Sequence, residues 1–369
     1  MPQDKNRKLT YKESGVDQER EDLAMVKLAD WVRKTFTLNP QSKVLLDLGY
    51  FANVIDLGLP LCIALATDSV GTKIIMAEIM DRFDTIGIDC IAMNVNDIIC
   101  LGATPVAFVD CIAIGEPDER VINQLGQGLY RGAELAGVSI PGGELAQVGE
   151  LLQMGEGRRG LDIVGTCIGT VKKEEIILGG DITEGDAVIG ILGDGLHSNG
   201  YTLARKTLFD AGGFRHDQHM DDLGETLGEA LLRPTPMYSK PVMEILSSGV
   251  PVKGMANITG GGVFNIARFD SDMGFILDDM PEPPPLFRLI QEVGKIEDEE
   301  MYAVFNMGIG YCFVIPDDSG AEDTVLRILS TYGMQGQRIG CAAKLPEAKG
   351  ISLPGLALAS HEGRLIRSG

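Results

Sequence analysis

The sequence has no paired-cysteine motif. Its seven cysteines, Cys62, Cys90, Cys100, Cys111, Cys167, Cys312 and Cys341, are odd in number and contain no C-x-x-C, and six of them sit in apolar runs or helical patterns. A disulfide framework is disfavoured, and the thiols read as reduced, mostly buried core residues. Basic residues are scarce: 32 Lys and Arg stand against 53 Asp and Glu, for a net charge of −21. That balance argues against non-specific binding of nucleic acid or anionic membrane. It leaves a phosphorylated ligand open, because helix N-termini, a lysine or Mg²⁺ can make a pocket locally positive. No apolar run approaches membrane-spanning length, and residues 1–10 are polar with no signal segment, so a cytoplasmic location is expected. Aromatics make up only 6% of the chain. No G-x-G-x-x-G opens a helix after a strand, and G-x-x-x-x-G-K-[ST] is absent. Any nucleotide site must therefore be built from scattered carboxylates and backbone groups. What is present is 369 residues with 44% apolar content, and 47 glycines and 17 prolines dispersed as turns. This fits an α/β protein of two ordinary-sized domains.

The most informative stretch is residues 66–105. Leu61 to Ala66 reads as a buried strand, and Asp68 stands where it emerges, followed by Gly71, Thr72 and Lys73. Ile91, Val95, Ile98 and Leu101 recur at helical spacing, which puts Asp97 on a helix that stops at Gly102. A strand follows over Val106 to Ile114. Carboxylates near a lysine, with no His or Cys cluster, suit Mg²⁺ and phosphate better than zinc. The plain alternative is that Asp68 and Asp97 only cap or solvate element ends.

Other segments have readable local structure. Met1 to Thr10 is expected to be mobile. Leu23, Val26, Ala29, Val32 and Phe36 give an amphipathic helix. Val121, Leu125, Leu129 and Ala133 mark a helix closed by Gly137. Gly142-Gly143-Glu144 brings backbone close to something and offers a third carboxylate, or else forms a tight turn with a surface glutamate. A strand over Leu161 to Val171 closes a first domain, and the charged, glycine-containing residues 172–185 mark a boundary. Next, a strand over Ala187 to Leu192 leads through Gly195-Leu196-His197-Ser198-Asn199-Gly200 into a helix over Tyr201 to Leu208. Strand, polar glycine-rich loop and helix make a natural anion site. A lone histidine there is equally an ordinary neighbour of a helix cap. Thr259-Gly260-Gly261-Gly262 precedes a short helix over Val263 to Phe269 and suggests close approach to a ligand, or a structural turn. Residues 281–285 read as a rigid exposed link. A strand over Ile309 to Ile315, a helix from Ala321 and a strand near Arg338 to Ala342 complete the second domain. The expected division is 1–172, 173–345, and a loosely attached tail over 346–369.

Read in order, YKESGVD from Tyr11, ATDSVGTK from Ala66, NVNDIICLGATP from Asn94, GGE from Gly142, GLHSNG from Gly195, ITGGG from Ile258 and FNMGIG from Phe305 resemble the phosphoribosylformylglycinamidine cyclo-ligase (AIR synthetase) family. The likeness runs from about Tyr11 to Ala343. It implies two α/β domains, the first contributing strands to a barrel at the centre of a homodimer with ATP near that interface. It implies ATP-dependent ring closure of formylglycinamidine ribonucleotide. The ATP side would be Lys12, Asp68, Gly71, Thr72, Lys73, Asn96, Asp97, Gly142, Gly143 and Glu144, with Asp68, Asp97 and Glu144 holding Mg²⁺. The substrate side would be His197, Ser198, Asn199, Gly200, Thr259, Gly260 and Gly261. His197, Asp97 and Lys12 would carry the chemistry. The stretch Asp47 to Asp56 resembles a family segment that packs near the nucleotide. The chain departs from many relatives after Glu144, where Leu145-Ala146-Gln147-Val148-Gly149 replaces a Thr-Ala-Glu-Met-Pro continuation. A small-molecule kinase of the same superfamily, or a non-catalytic ATP-binding assembly protein, are the competing readings.

Overall fold

The computed structural model describes residues 9–152 and 159–368; the expectation for Met1 to Lys8 lies outside them. Two mixed sheets organise the chain. The first contains β1 (Lys43–Val44), β2 (Asn53–Asp56), β3 (Cys62–Ser69), β4 (Thr104–Ile114), β5 (Ser139–Gln147) and β6 (Leu161–Val171), in the order β1-β2-β3-β6-β4-β5. Only β4 and β5 run parallel, joined by a helical crossover; the other pairs are antiparallel.

The helices α1 (Tyr11–Ser14), α2 (Gln18–Arg33), α3 (Ile74–Met80), α4 (Ile86–Ile99) and α5 (Glu119–Ala136) belong to this half of the sequence. Helix α4 is apolar nearly all round and is buried along its length. It lies on one face of the sheet, in contact with β3, β6 and β4, and carries α5 on its far side. The close helix pair depends on glycine: a Cβ on Gly128 would sit 2.6 Å from the Asp84 carbonyl. Gly137 closes α5 in the left-handed region, as its position in the sequence suggests.

The other face of the first sheet is half bare. Along β6, Leu161, Ile163, Gly165 and Cys167 are buried while the alternate residues are partly or fully open. Val106 and Ile168, for example, are 48% and 39% exposed. The amphipathic helix expected around Leu23 forms, but it does not bury its apolar face: Leu23 and Trp31 are 71% and 69% exposed, and Ala29 is its buried apolar residue.

A hairpin of β8 (His219–Met220) and β9 (Glu225–Thr226) stands apart from the second sheet. That sheet contains β7 (Ala187–Leu192), β10 (Gly254–Asn257), β11 (Gly274–Ile276), β12 (Ile309–Ile315), β13 (Gly336–Ala343), β14 (Ile351–Leu353), β15 (Leu358–His361) and β16 (Arg364–Arg367), in the order β10-β12-β7-β13-β11-β14-β15-β16. The β10-β12-β7 end of this sheet is covered on both faces, since every residue of β10 and β12 and all but the last of β7 are buried.

Two expectations need correction. Residues 346–369 are not a loose tail. β14 adds in parallel to β11 and is extended by β15 and β16, with Ile351, Leu353, Leu358 and Leu365 buried. Apolar residues alternate there, but the run is short and broken by Pro354 and Gly355. Nor is 281–285 merely an exposed link: Pro285 is the first residue of the helix Pro285–Gly294, where its missing N–H costs nothing. The helix begun at Tyr201 widens into a π-turn over Lys206–Ala211. The helix expected at Val263 is a 3₁₀ segment, Gly262–Arg268.

Candidate active site

Several of the sequence motifs meet where the two sheets' domains join. Asp97, in the last turn of α4, is partly buried and accepts a hydrogen bond from the Asn257 side-chain nitrogen at 2.8 Å. Asn257 ends β10 and leads directly into Ile258-Thr259-Gly260-Gly261-Gly262. Gly260 in turn lies against Asn199, whose Oδ1 would be 3.0 Å from a Cβ placed there. Gly262 has φ 52° and abuts the Tyr302 carbonyl, so the third glycine serves close packing. The carboxylate of the first domain, the triple glycine and the His197 loop thus form one continuous surface.

Burial sets the electrostatics of the first-domain side. It pushes the Asp97 carboxyl up to about 7; the neighbouring Asp68 charge acts the same way, while the Asn257 hydrogen bond and Arg268 oppose it. Asp68 is also raised by burial, against the pull of the Ser69 N–H. Two mutually repelling carboxyls in a desolvated place are a donor set that a hard cation would stabilise. Mg²⁺ commonly takes one or two carboxylates and completes its shell with water and phosphate oxygens. Asp68 and Asp97 fit that requirement.

Glu144 does not join them. Gly142, Gly143 and Glu144 are not a tight turn but the middle of β5. The register pairs Asp68 with Gly165, Gly165 with Asp110, and Asp110 with Gly143, while Glu144 pairs with Cys111. Alternation along the strands therefore turns Glu144 to the opposite face from Asp68. β6 and β4 lie between them, three inter-strand steps of roughly 14 Å. The expected three-carboxylate set is not assembled in the chain, and no group of three metal-ligating side chains occurs among the described residues. The carboxylate that shares the Asp68 row is Asp110, which burial also pushes up. Gly143 makes room for it: a Cβ there would be 2.7 Å from Asp110 Oδ1. An aspartate inside the apolar run Val106 to Ile114 was the signal for it.

Lys73 and Asn96 point away from any open ligand surface. The Lys73 side chain is fully buried, with its ammonium on Asp89 and on the carbonyls of His197 and Arg233. Asn96 donates to the Pro236 carbonyl at 2.9 Å and accepts from the Tyr238 N–H at 3.1 Å. Both side chains tie the domains together. Gly71 makes the turn at φ 65°, and Thr72 is bonded to Thr202 at 3.0 Å. Lys12 is exposed and paired with Asp17 at 3.1 Å. Its helix, α1, is fastened by the Tyr11 N–H to Glu300 at 2.5 Å and packs on the helix that carries Thr202.

On the second-domain side, His197 is a non-glycine residue in the left-handed region, φ 59°, and its imidazole is buried. The ring leans on Tyr238, with centroids 6.4 Å apart. Nε2 lies 3.3 Å from the position of a Gly193 Cβ and has no protein partner. Burial, and then the Lys73 charge, hold the imidazole down at about 3, so it is neutral near neutral pH. Ser198 shares a hydrogen bond with Thr235 at 3.2 Å. Gly200 is required by φ 75° and by Phe305, whose ring fills the space of a Cβ. Asp47 to Asn53, with Leu65, Thr67 and Thr166, line a cavity of about 330 Å³. Leu65, Thr67 and Thr166 are outward residues of the bare sheet face, so the cavity opens there.

Comparison with known proteins decides the family. Residues 50–171 match the AIR synthase related protein N-terminal domain, and residues 183–350 match the corresponding C-terminal domain. The phosphoribosylformylglycinamidine cyclo-ligase of Methanothermobacter thermautotrophicus is 44% identical over 332 residues, covering 90% of this chain and 94% of that one. The chain belongs to the phosphoribosylformylglycinamidine cyclo-ligase family. The cyclo-ligase of Methanocaldococcus jannaschii is 39% identical over 359 residues, with 97% and 99% of the two chains covered. Among solved structures, thiamine-monophosphate kinase from Stenotrophomonas maltophilia superposes with a TM-score of 0.58 at 19% identity, covering 88% of this chain and 95% of the kinase. The hydrogenase maturation protein HypE in complex with ATP gives 0.56 at 16% identity, covering 80% and 82%. These two likenesses concern the fold alone. The cyclo-ligase relatives belong to a family of C–N bond-forming ligases, so the chain is a member of an enzyme family.

Proposed function

We propose that the protein uses ATP to close the imidazole ring of formylglycinamidine ribonucleotide, releasing ADP and phosphate and giving aminoimidazole ribonucleotide in purine biosynthesis. The observation that carries the reading is the joint itself. The Asp97–Asn257 bond and the Asn199–Gly260 contact bring the family's nucleotide-side and substrate-side motifs to one surface. The substrate's amide-type oxygen leaves poorly. Transfer of the γ-phosphoryl group to it releases ADP and makes phosphate the leaving group. The neighbouring nitrogen then attacks the activated carbon, the ring closes and phosphate departs. The protein's part is positioning and charge neutralisation.

Mg²⁺, held by Asp68 and Asp97, would neutralise phosphate charge. Asp110 stands in the same row as Asp68, two strands across with Gly165 between them. ATP approaches on the Asp68 and Asp97 side, with Gly71 and Thr72 at its phosphate end and Lys12 closing over it; the cavity bounded by Asp47 to Asn53 and Thr67 lies on the opposite, bare face of the sheet. His197 serves as a neutral hydrogen-bonding group rather than a charged acid. Ser198, Asn199, Gly200, Thr259, Gly260 and Gly261 receive the ribonucleotide. The bare, apolar face of the first sheet supports a homodimer in which two such faces close into a barrel. Unpaired thiols among the described residues support a reducing, cytoplasmic location. We divide the chain at residues 172–185, with the second domain running on through β16.

The deciding experiment mixes protein, ATP, Mg²⁺ and formylglycinamidine ribonucleotide and follows ADP, free phosphate and the aminoimidazole. Stoichiometric appearance of all three is expected. Phosphate retained on the organic product would indicate a kinase, and no turnover would indicate an assembly protein.

A further inference from the structure

Lys73 belongs to the motif that approaches the nucleotide, yet all three of its ammonium protons are used inside the protein. Nζ lies 2.8 Å from Asp89 Oδ1 and 2.8 Å from Oδ2. It donates to the His197 carbonyl at 3.0 Å and to the Arg233 carbonyl at 2.5 Å. An ammonium has three donors and no acceptor. No proton is left for a phosphate oxygen.

The carboxylate partner is committed through Oδ1, while its buried Oδ2 has only the ion-pair contact with Lys73. Asp89, in the first turn of α4, accepts from the Thr235 N–H and from the Thr235 hydroxyl, both at 2.7 Å. Thr235 Oγ1 shares its other hydrogen bond with Ser198. Lys73 and Asp89 come from the first domain; His197, Ser198, Arg233 and Thr235 come from the second. The side chains of Lys73, Asp89, Thr235 and Ser198, which carry this chain of bonds, are all buried. Burial favours the neutral form of each ion, while their contact favours the charged pair. Two adjacent residues of one loop, His197 through its carbonyl and Ser198 through its hydroxyl, are thereby fixed to the same ion pair. One of them is held in a left-handed conformation that a histidine rarely adopts.

We propose that Lys73, Asp89 and Thr235 are positioning residues for the reaction, forming a buried clamp across the domain joint that sets the His197–Ser198 loop against the Asp68–Thr72 loop. The proposal rests on the function assigned above. It differs from ordinary structural glue in its consequence: loosening the clamp misplaces the substrate side relative to the nucleotide side without removing a ligand from either.

Thr235→Val is the test, because it keeps the volume and deletes the hydroxyl that links Asp89 to Ser198. The expected result is a fall in kcat on the order of 10²-fold, the scale of a misplacement of about 1 Å. ATP affinity, measured by calorimetry on the same sample, stays within about twofold of wild type, since a lost alignment slows the chemical step and leaves the nucleotide's own contacts in place. Thr235→Ser restores turnover. Thr235→Ala, which removes the same hydroxyl without leaving a methyl against the carboxylate, gives the same split should the valine variant not fold. The clamp is refuted if the hydroxyl-deleted protein keeps wild-type kcat while only its melting temperature falls, or if ATP affinity drops in step with kcat. If wild-type protein makes no aminoimidazole product, the assigned reaction fails instead, and that outcome is read before any variant is made.

Discussion

The two sheets solve the same packing problem differently. In the second sheet, β10 and β12 are buried on both faces by helices and loops of the same chain. In the first, α4 covers one face with α5 behind it, and the other shows Val106, Val164, Ile168 and Leu61 to solvent. A sheet with an apolar face that no described residue covers is open to a partner. The second domain is self-sufficient; the first is suited to being finished by another molecule. The site's carboxylates lie on the helix-covered face of the first sheet and on α4, and its histidine loop lies on the second domain.

The largest expected effect breaks the first-domain side chemically. Asp97→Asn should lower kcat by roughly 10³-fold, with circular dichroism and melting temperature near wild type, because the new side chain keeps an amide oxygen for Asn257 to bond. Near-normal turnover at saturating Mg²⁺ would remove Asp97 from the mechanism. Next, the completeness of the second sheet can be broken by ending the chain at Leu345. That deletion removes the buried Ile351, Leu353, Leu358 and Leu365. At about 1.5–3 kcal/mol for each buried aliphatic side chain, the loss is comparable with the whole stability of a domain. The truncated protein should be insoluble or unfolded by thermal melting; a cooperative wild-type transition would show the tail to be dispensable.

The incompleteness of the first sheet is tested by Ile168→Asp. Light scattering at micromolar concentration should give a dimer for wild type and a monomer for the variant, with the second domain's core unaffected. A monomeric wild type would contradict the dimer. His197→Ala should separate the two sides functionally. Product formation should fall by about 10- to 100-fold or more, while ATP affinity changes little. Equal losses in both would dissolve the division of labour.

The smallest effect is in pH dependence, and its sign differs between the two domains. His197 has a folded value of about 3 against 6.5 unfolded, so its contribution to stability is present above pH 6.5 and lost as pH falls toward 3. Asp97 has a folded value of about 7 against 3.8, so its contribution is present below pH 3.8 and lost as pH rises through 7. Melting temperatures from about pH 4 to 8 should show His197→Gln flattening the acid side and Asp97→Asn flattening the neutral side. The same slope in both variants would rule out this assignment.

Much of the fold was legible because it follows periodicity and punctuation. The run Leu61 to Ala66, the helical spacing around Asp97, and Gly137 after Ala133 each announced an element that forms. That the motifs of Asp97, Asn199 and Gly260 lie near one another is what the fold shows of the candidate site. The site's geometry was not legible. Glu144 follows two glycines, but only strand register reveals that it faces away from Asp68 while Asp110 does not. Lys73 looked like a phosphate ligand because charge is visible in sequence and burial is not. Its partners, Asp89 at 16 residues' distance and the His197 and Arg233 carbonyls in the other domain, are joined only by the tertiary structure. The tail was missed because its strands are short and gain their stability from β11, far back in the chain.

The strand order of the second sheet has a consequence for the timing of synthesis. β7 is made first, yet both of its neighbours, β12 and β13, and the outer strands through β16 come more than a hundred residues later. At ribosomal rates of about 5–20 residues per second, the apolar strand Ala187–Leu192 waits on the order of ten seconds for a partner. During that interval it is the part of the nascent chain most open to a chaperone, or to the same strand on a neighbouring ribosome.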